Sequence, residues 1–219
     1  MKGVISDFIN LISDKELIVR DCAINGLSFV ITRNLNLARP VLSTHMDSVF
    51  AQAERSEFRE IDYGTHKEYA DNTLKGREVI FTSIFPHLFN ECPELVDPNK
   101  MMKAVLAAYR HEAKLRPQTD DIMVSANLIL VNLCSLAPTV VLSSLIDCVG
   151  PLEIEIKKNA ETNVKKSTLQ AIAAICKIPN WENANPKFTE VVNKLVKGND
   201  KLKQRYEQLL ASKVILSTL

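Results

Sequence analysis

The chain has 219 residues, enough for one sizeable core or one continuous stack of repeats. Lys and Arg number 27 against 26 Asp and Glu, and a formal net charge of +1 argues against a broad nucleic-acid or membrane-surface binder. Six glycines are few for the turns of an all-β fold or the phosphate loop of a nucleotide-cradling α/β fold, and the 46% hydrophobic content excludes disorder by composition.

The N-terminal run MKGVISDFINLISDKEL is apolar but is broken by Asp7 and Asn10 and has no small-residue cleavage site, so no signal peptide is expected. Val4, Ile5, Phe8, Ile9, Leu11 and Ile12 make it a first helix. A free end of a repeat stack carries a polar cap. This end does not, so it is expected to stack on preceding repeats, covalently attached or supplied by a separate polypeptide.

From Leu17 to Thr32 the residues Val19, Cys22, Ala23, Gly26, Leu27, Val30 and Ile31 form one helical stripe. The stretch Ser56 to Asn72 does not have helical character. It centres on Gly64, and a Gly64-Thr65 turn of type II′ makes it a β-hairpin. In that register Tyr63 faces His66, Asp62 faces Lys67 and Glu60 faces Tyr69. An isolated hairpin is marginal in water. It therefore either projects as a contact element, with Ile61, Tyr63, His66 and Tyr69 exposed, or folds down as a loop over a helix.

Helical stripes resume at Ile80, Phe81, Ile84, Phe85 and Leu88. Asp97-Pro98 and Asn185-Pro186 each place a capping side chain before a proline that suits a first helical turn. Val124, Leu128, Val131 and Cys134 lie in a helix that is apolar nearly all round and needs neighbours on several sides. The longest apolar run, Asn127 to Leu136, is well short of the roughly 20 residues that span a bilayer. Pro138, Pro151 and Pro179 are read near helix ends or in connections. Three further stripes follow: Leu169, Ile172, Ala173 and Cys176; then Phe188, Val191, Val192 and Leu195; then Leu202, Tyr206, Leu209 and Leu210. Gly198-Asn199-Asp200 separates the last two. The total is about ten helices.

A repeated motif links these helices. An acidic residue, a few polar ones, an apolar one, often a basic one and then a small one recur at Asp14 to Ala23, Asp71 to Arg77, Asp120 to Ala126 and Glu161 to Leu169. The acidic residue suits a helix N-terminus and the small one lets a neighbouring helix approach. This is the signature of an inner HEAT helix. The third and fourth copies are about 43 residues apart, within the HEAT period of about 40–47, whereas the first two are separated by about 57 because of the inserted stretch. The fold class expected is all-α, a right-handed α–α HEAT superhelix over residues 1–219 with a β-hairpin inserted at residues 57–72.

No enzyme is expected. GxSxG, P-loop and HExxH patterns are missing. Adjacent carboxylates such as Asp120 and Asp121 do not face each other on a helix and read as helix-start residues. His87 with Cys92, or His111 with Glu112, lacks the ligand count of a zinc site, so no metal or cofactor is expected. Cys22, Cys92, Cys134, Cys148 and Cys176 have no CxxC pair and read as buried reduced thiols of a protein of cytoplasm and nucleus. Lys157, Lys158, Lys165 and Lys166 read as a solvated basic face, and Trp181 as the anchor of a polar loop.

The run Phe58 to Phe85 (FREIDYGTHKEYADNTLKGREVIFTSIF) resembles the hairpin-bearing C-terminal repeat of the cullin-associated, neddylation-dissociated protein family. LILVNLCSLAPTVVLSSLIDCVGPLE (Leu128 to Glu153) and VKKSTLQAIAAICKIP (Val164 to Pro179) resemble later parts of the same domain. The resemblance implies a C-terminal HEAT domain whose partner is a cullin–RING complex, gripped at the cullin's N-terminal domain. It implies that the hairpin occupies the adaptor site, promotes adaptor exchange and opposes cullin modification. By position, the implied contacts are Glu60, Ile61, Asp62, Tyr63, Gly64, Thr65, His66, Lys67 and Tyr69. The family's proteins are several times longer than this chain. The other reading that the residues leave open is a generic HEAT adaptor or transport-receptor fragment with a different protein partner.

Overall fold

The computed structural model describes residues 2–12, 14, 16–54, 77–111, 120–158, 160–198 and 200–212. Within them the chain forms eleven α-helices and no strand. They are α1 (Lys2–Leu11), α2 (Leu17–Arg33), α3 (Leu35–Glu54), α4 (Phe85–Glu91), α5 (Pro98–His111), α6 (Asp120–Leu136), α7 (Pro138–Ser143), α8 (Leu145–Lys157), α9 (Asn163–Ile175), α10 (Pro186–Lys197) and α11 (Asp200–Ala211). A π-helical turn, Ile80–Ile84, runs straight into α4. None of the described helices is long and apolar enough to cross a membrane. The chain divides into two compact units, Met1–Asp97 and Pro98–Leu219.

In the first unit α1, α2 and α3 pack against one another, and the π-helical turn rests on α2 and α3. The stripes read from the sequence form its core. Ile5 and Ile9 of α1, Ile12 just after it, and Ala23, Leu27 and Ile31 of α2 are all buried where the two helices belong to one core. Gly26 lets α1 and α2 close up, because a Cβ there would lie 2.4 Å from Cζ of Phe8. Ile80, Phe81, Ile84, Phe85 and Leu88 are buried as their spacing predicts. Phe85 stacks at a tilt on Phe50 of α3 (5.6 Å between ring centres) and edge-on against Phe81 (5.3 Å).

The second unit is a two-layer stack of paired helices. One layer runs α5, α8, α10, and the other runs α6, α9, α11. Each helix packs on its pair mate and on its neighbours in the layer, the arrangement of an α–α repeat. α6 is buried at nearly every position from Ile122 to Cys134, as an all-round apolar helix requires. α6 and α9, which open with the third and fourth copies of the motif, make the most extensive helix contact in the unit. The small residues of those copies, Ser125, Ala126 and Ser167, are buried at that contact.

One buried polar knot fixes the register of three helices. Asn127 of α6 is 1% exposed. Its Oδ1 accepts from the Tyr109 hydroxyl of α5 (2.7 Å). Its Nδ2 donates to Ser167 Oγ (2.9 Å) and Thr168 Oγ1 (3.0 Å) of α9. Both of those hydroxyls donate onward to the Val164 carbonyl. Every member is satisfied, which is the condition under which a buried polar network stabilises. Burial holds the Tyr109 hydroxyl far above its ordinary pKa, so it remains a donor.

The capping expectations hold at Asn185, whose Oδ1 accepts from the N–H groups of Lys187 (2.9 Å) and Phe188 (3.1 Å) ahead of Pro186. In the fourth motif copy the cap is Thr162, which accepts from the Lys165 N–H (3.1 Å).

Two expectations are corrected. Pro151 is not at a helix end but inside α8. It cannot donate to the Asp147 carbonyl, but Asp147 is exposed and water can satisfy that group. Gly150 also removes the Cβ that would clash with the proline ring in a helical conformation. Cys22 is not buried but exposed, and Cys176 is only half-buried. The stripe of α2 that faces the core is Ala23, Leu27 and Ile31, one residue round the helix from Cys22. The other cysteines are buried as read. Burial pushes the thiols of Cys134 and Cys176 up to about 12 and raises that of Cys148 further.

Candidate partner-binding surfaces

The β-hairpin expected at residues 57–72 lies outside the described residues, and so do all nine residues assigned to it: Glu60, Ile61, Asp62, Tyr63, Gly64, Thr65, His66, Lys67 and Tyr69. The residues on either side of this stretch are described. α3 ends at Glu54, and the described structure resumes at Arg77. Arg77 is 1% exposed, and its Nε donates to the carbonyl of Ala53 (3.2 Å). The chain therefore leaves α3 and rejoins the core at one place.

Arg77 is the residue that sequence reading missed. It appeared only as the basic position of the second motif copy. The signal available was its place ahead of five apolar positions that all turn inward.

In the second unit the lysine cluster is largely used internally, in keeping with the solvated-face reading. Lys157 pairs with Glu153 (2.7 Å), and Lys158 pairs with the buried carboxylate of Glu155 (2.7 Å). Lys165 departs from that reading: it is buried, and its ammonium donates to the Lys158 carbonyl. Its alkyl stem is covered by the α8–α9 packing, which a charge count cannot reveal. Lys166 reaches Asn163 Oδ1 at 3.5 Å on the surface. Trp181 is half-buried and sets its ring edge-on to Phe188 (5.7 Å), anchoring its loop as expected.

Asp120 and Asp121 occupy the first turn of α6, where the helix dipole favours carboxylates. His87 is half-buried and Cys92 is buried, while Glu112 lies outside the described residues. No three His, Cys, Asp or Glu come together as a metal-binding group among the described residues.

What remains on the surface of the second unit is an apolar feature that the sequence pass did not assign. Ile146 and Ile154 of α8 are 57% and 64% exposed. At the C-terminal end of α8 a cavity of about 170 Å³ opens between α8, α10 and α11.

Comparison with known proteins agrees with this architecture. The family model TIP120, described as TATA-binding protein interacting (TIP20), matches residues 37–196. A "Cullin-associated NEDD8-dissociated protein 1" of Dictyostelium discoideum is 25% identical over 206 residues, covering 88% of this chain and 16% of the relative. A protein of the same name from Arabidopsis thaliana is 27% identical over 187 residues, covering 80% of this chain and 15% of the relative. The chain thus spans about a sixth of the length of these curated relatives. With the match running from within α3 to the end of α10, across most of the described helices, the chain belongs to the TIP120 family.

Proposed function

We propose that this chain is a cullin-binding scaffold that regulates the assembly of cullin–RING ubiquitin ligases. It grips the N-terminal domain of the cullin, and the segment at residues 57–72 forms a β-hairpin that occupies the adaptor site. Adaptor and hairpin exclude each other, and this competition promotes adaptor exchange. The chain works by shape and contact, with no chemistry of its own.

The observation that carries the reading is the clamp of Arg77 on Ala53. It brings together Ala53 and Arg77, which flank the inserted stretch, and this supports a competing element whose position is set before binding. The names of the relatives supply the partner class. Val4, Phe29 and Leu37 of the first unit are exposed apolar side chains. We assign them to packing against further repeats, which would add contact regions to the same partner.

The test is a pull-down of purified cullin–RING complex with this chain and with a variant carrying Ile61→Ala, Tyr63→Ala and Tyr69→Ala. Loss of capture with an unchanged circular dichroism spectrum supports the hairpin contact. Capture of the variant at wild-type levels rejects it. If neither protein captures the complex even when preceding repeats are supplied, the chain is a helical-repeat adaptor for another protein.

A further inference from the structure

The exposed face of α8 is unlike the rest of the outer layer. Ile146, Gly150 and Ile154 follow one another at intervals of four, so they form a line about 12 Å long on one side of the helix. Both isoleucines are more than half exposed, and a Cβ at Gly150 would meet nothing within 4 Å. The glycine therefore leaves a saddle between two apolar posts, shaped for the close approach of another helix.

Past the Ile154 end of this line, at Glu153, Ile156 and Lys157 of α8, lies the cavity of about 170 Å³ between α8, α10 and α11. Its walls are aliphatic, from Ile156, Val191, Leu195 and Leu202. That is far more room than one water needs, and an apolar hole of this kind holds water poorly. Its rim carries two lysines and one carboxylate. Lys157 and Lys194 both turn to the single carboxylate of Glu153, at 2.7 Å and 3.6 Å. Both lysines are more than 60% exposed, so the rim has an excess positive charge available to an anionic visitor. Lys197, in the last turn of α10, is exposed close by.

We propose that the outer face of α8, with the cavity it shares with α10 and α11, docks an acidic amphipathic helix of a partner protein. One aliphatic side chain of that helix enters the cavity, its neighbours straddle Ile146 and Ile154, and its flanking carboxylates pair with Lys157 and Lys194. This is the helix-in-groove mode, with anchors spaced by one helical turn. Rim charges of this kind steer and select the partner more than they hold it.

The test uses the full chain and a fluorescein-labelled synthetic 18-residue helix with leucines at i, i+4 and i+7 and glutamates beside them. One control peptide replaces the central leucine with alanine, and a second replaces every glutamate with lysine. Anisotropy should give a Kd on the order of 10–100 µM for the acidic helix. Either control peptide, the Lys194→Glu chain and the Ile146→Asp/Ile154→Asp chain should each bind about tenfold or more weakly. These side chains are exposed, and thermal melts verify that the variants fold. In the wild-type chain the methyl resonances of Ile146, Ile154, Val191 and Leu195 should shift on titration.

Three results overturn the proposal: no binding up to about 1 mM, equal binding by the lysine peptide, or shifts confined to other methyls. Concentration-dependent dimerisation in sedimentation that Ile154→Asp abolishes would also overturn it, by assigning the face to a second copy. The probe contains no cullin, so failure here leaves the proposed function untouched, and the reverse is equally true.

Discussion

Arg77 and Asn127 show how single polar side chains organise a structure that is otherwise apolar. Arg77→Ala removes a fully buried side chain and the bond to Ala53, so a loss of about 2–4 kcal/mol is expected in denaturant titration. On the proposed function the variant should also lose cullin capture under conditions where it is still folded. Asn127→Ala leaves the hydroxyls of Tyr109, Ser167 and Thr168 with a lost partner inside the second unit. The expected cost is about 2–4 kcal/mol, against about 1 kcal/mol for Tyr109→Phe, which removes only one of the bonds. Equal effects from the two variants would mean that the network is not acting as a unit.

The thiols carry a pH dependence. Burial holds Cys134 and Cys176 protonated up to about 12, whereas the unfolded chain releases those protons near the ordinary thiol value of about 8.5. Their contribution is thus complete below about pH 8.5 and is lost as pH rises toward 12. Urea midpoints should fall across that window, and less steeply in a Cys134→Ala/Cys176→Ala chain. Cys22, being exposed, should be the first cysteine alkylated in the native protein, with Cys92, Cys134 and Cys148 protected until unfolding.

At the scale of elements, the helices were legible because apolar spacing reports which side of a helix faces inward. The stripes of Ile80 to Leu88 and of Phe188 to Leu195 are buried as read. The Asn185 cap was legible because a short polar side chain before proline has one evident use. Asn185→Ala should cost about 1 kcal/mol and release the start of α10, detectable as faster amide exchange at Lys187 and Phe188.

Periodicity does not report how far a neighbour wraps around the flank of a stripe. That is why Cys22 was read as buried and why the exposed Ile146 and Ile154 were not noticed. Nor does residue type reveal that an Arg or an Asn is in the core, because such residues are usually outside. Pro151 was read at a helix end because proline in a helix interior normally breaks the ladder; here Gly150 and the exposed Asp147 carbonyl relieve both costs.

At the scale of the whole molecule, each unit is a self-contained piece of helix packing. The second is built by adding pairs, so its layers carry different tasks. The Asn127 knot ties α5 of one layer to α6 and α9 of the other. The outer layer α5, α8, α10 carries the saddle and cavity open to a partner. The candidate site at residues 57–72 was visible in the sequence through one glycine, a break in helical periodicity and an excess of repeat length. Its residues lie outside those described, and the structure adds only that Arg77 lies against Ala53, a contact that joins positions 24 residues apart and so is not legible from local pattern.

Competition at the adaptor site tests the central claim most directly. Labelled chain is bound to a cullin–RING complex and titrated with purified adaptor, alongside a chain lacking residues 57–72. The expected result is displacement of the wild-type chain in proportion to adaptor occupancy, and loss of that competition in the deletion variant. Simultaneous binding of adaptor and wild-type chain, with no change in either affinity, would contradict it.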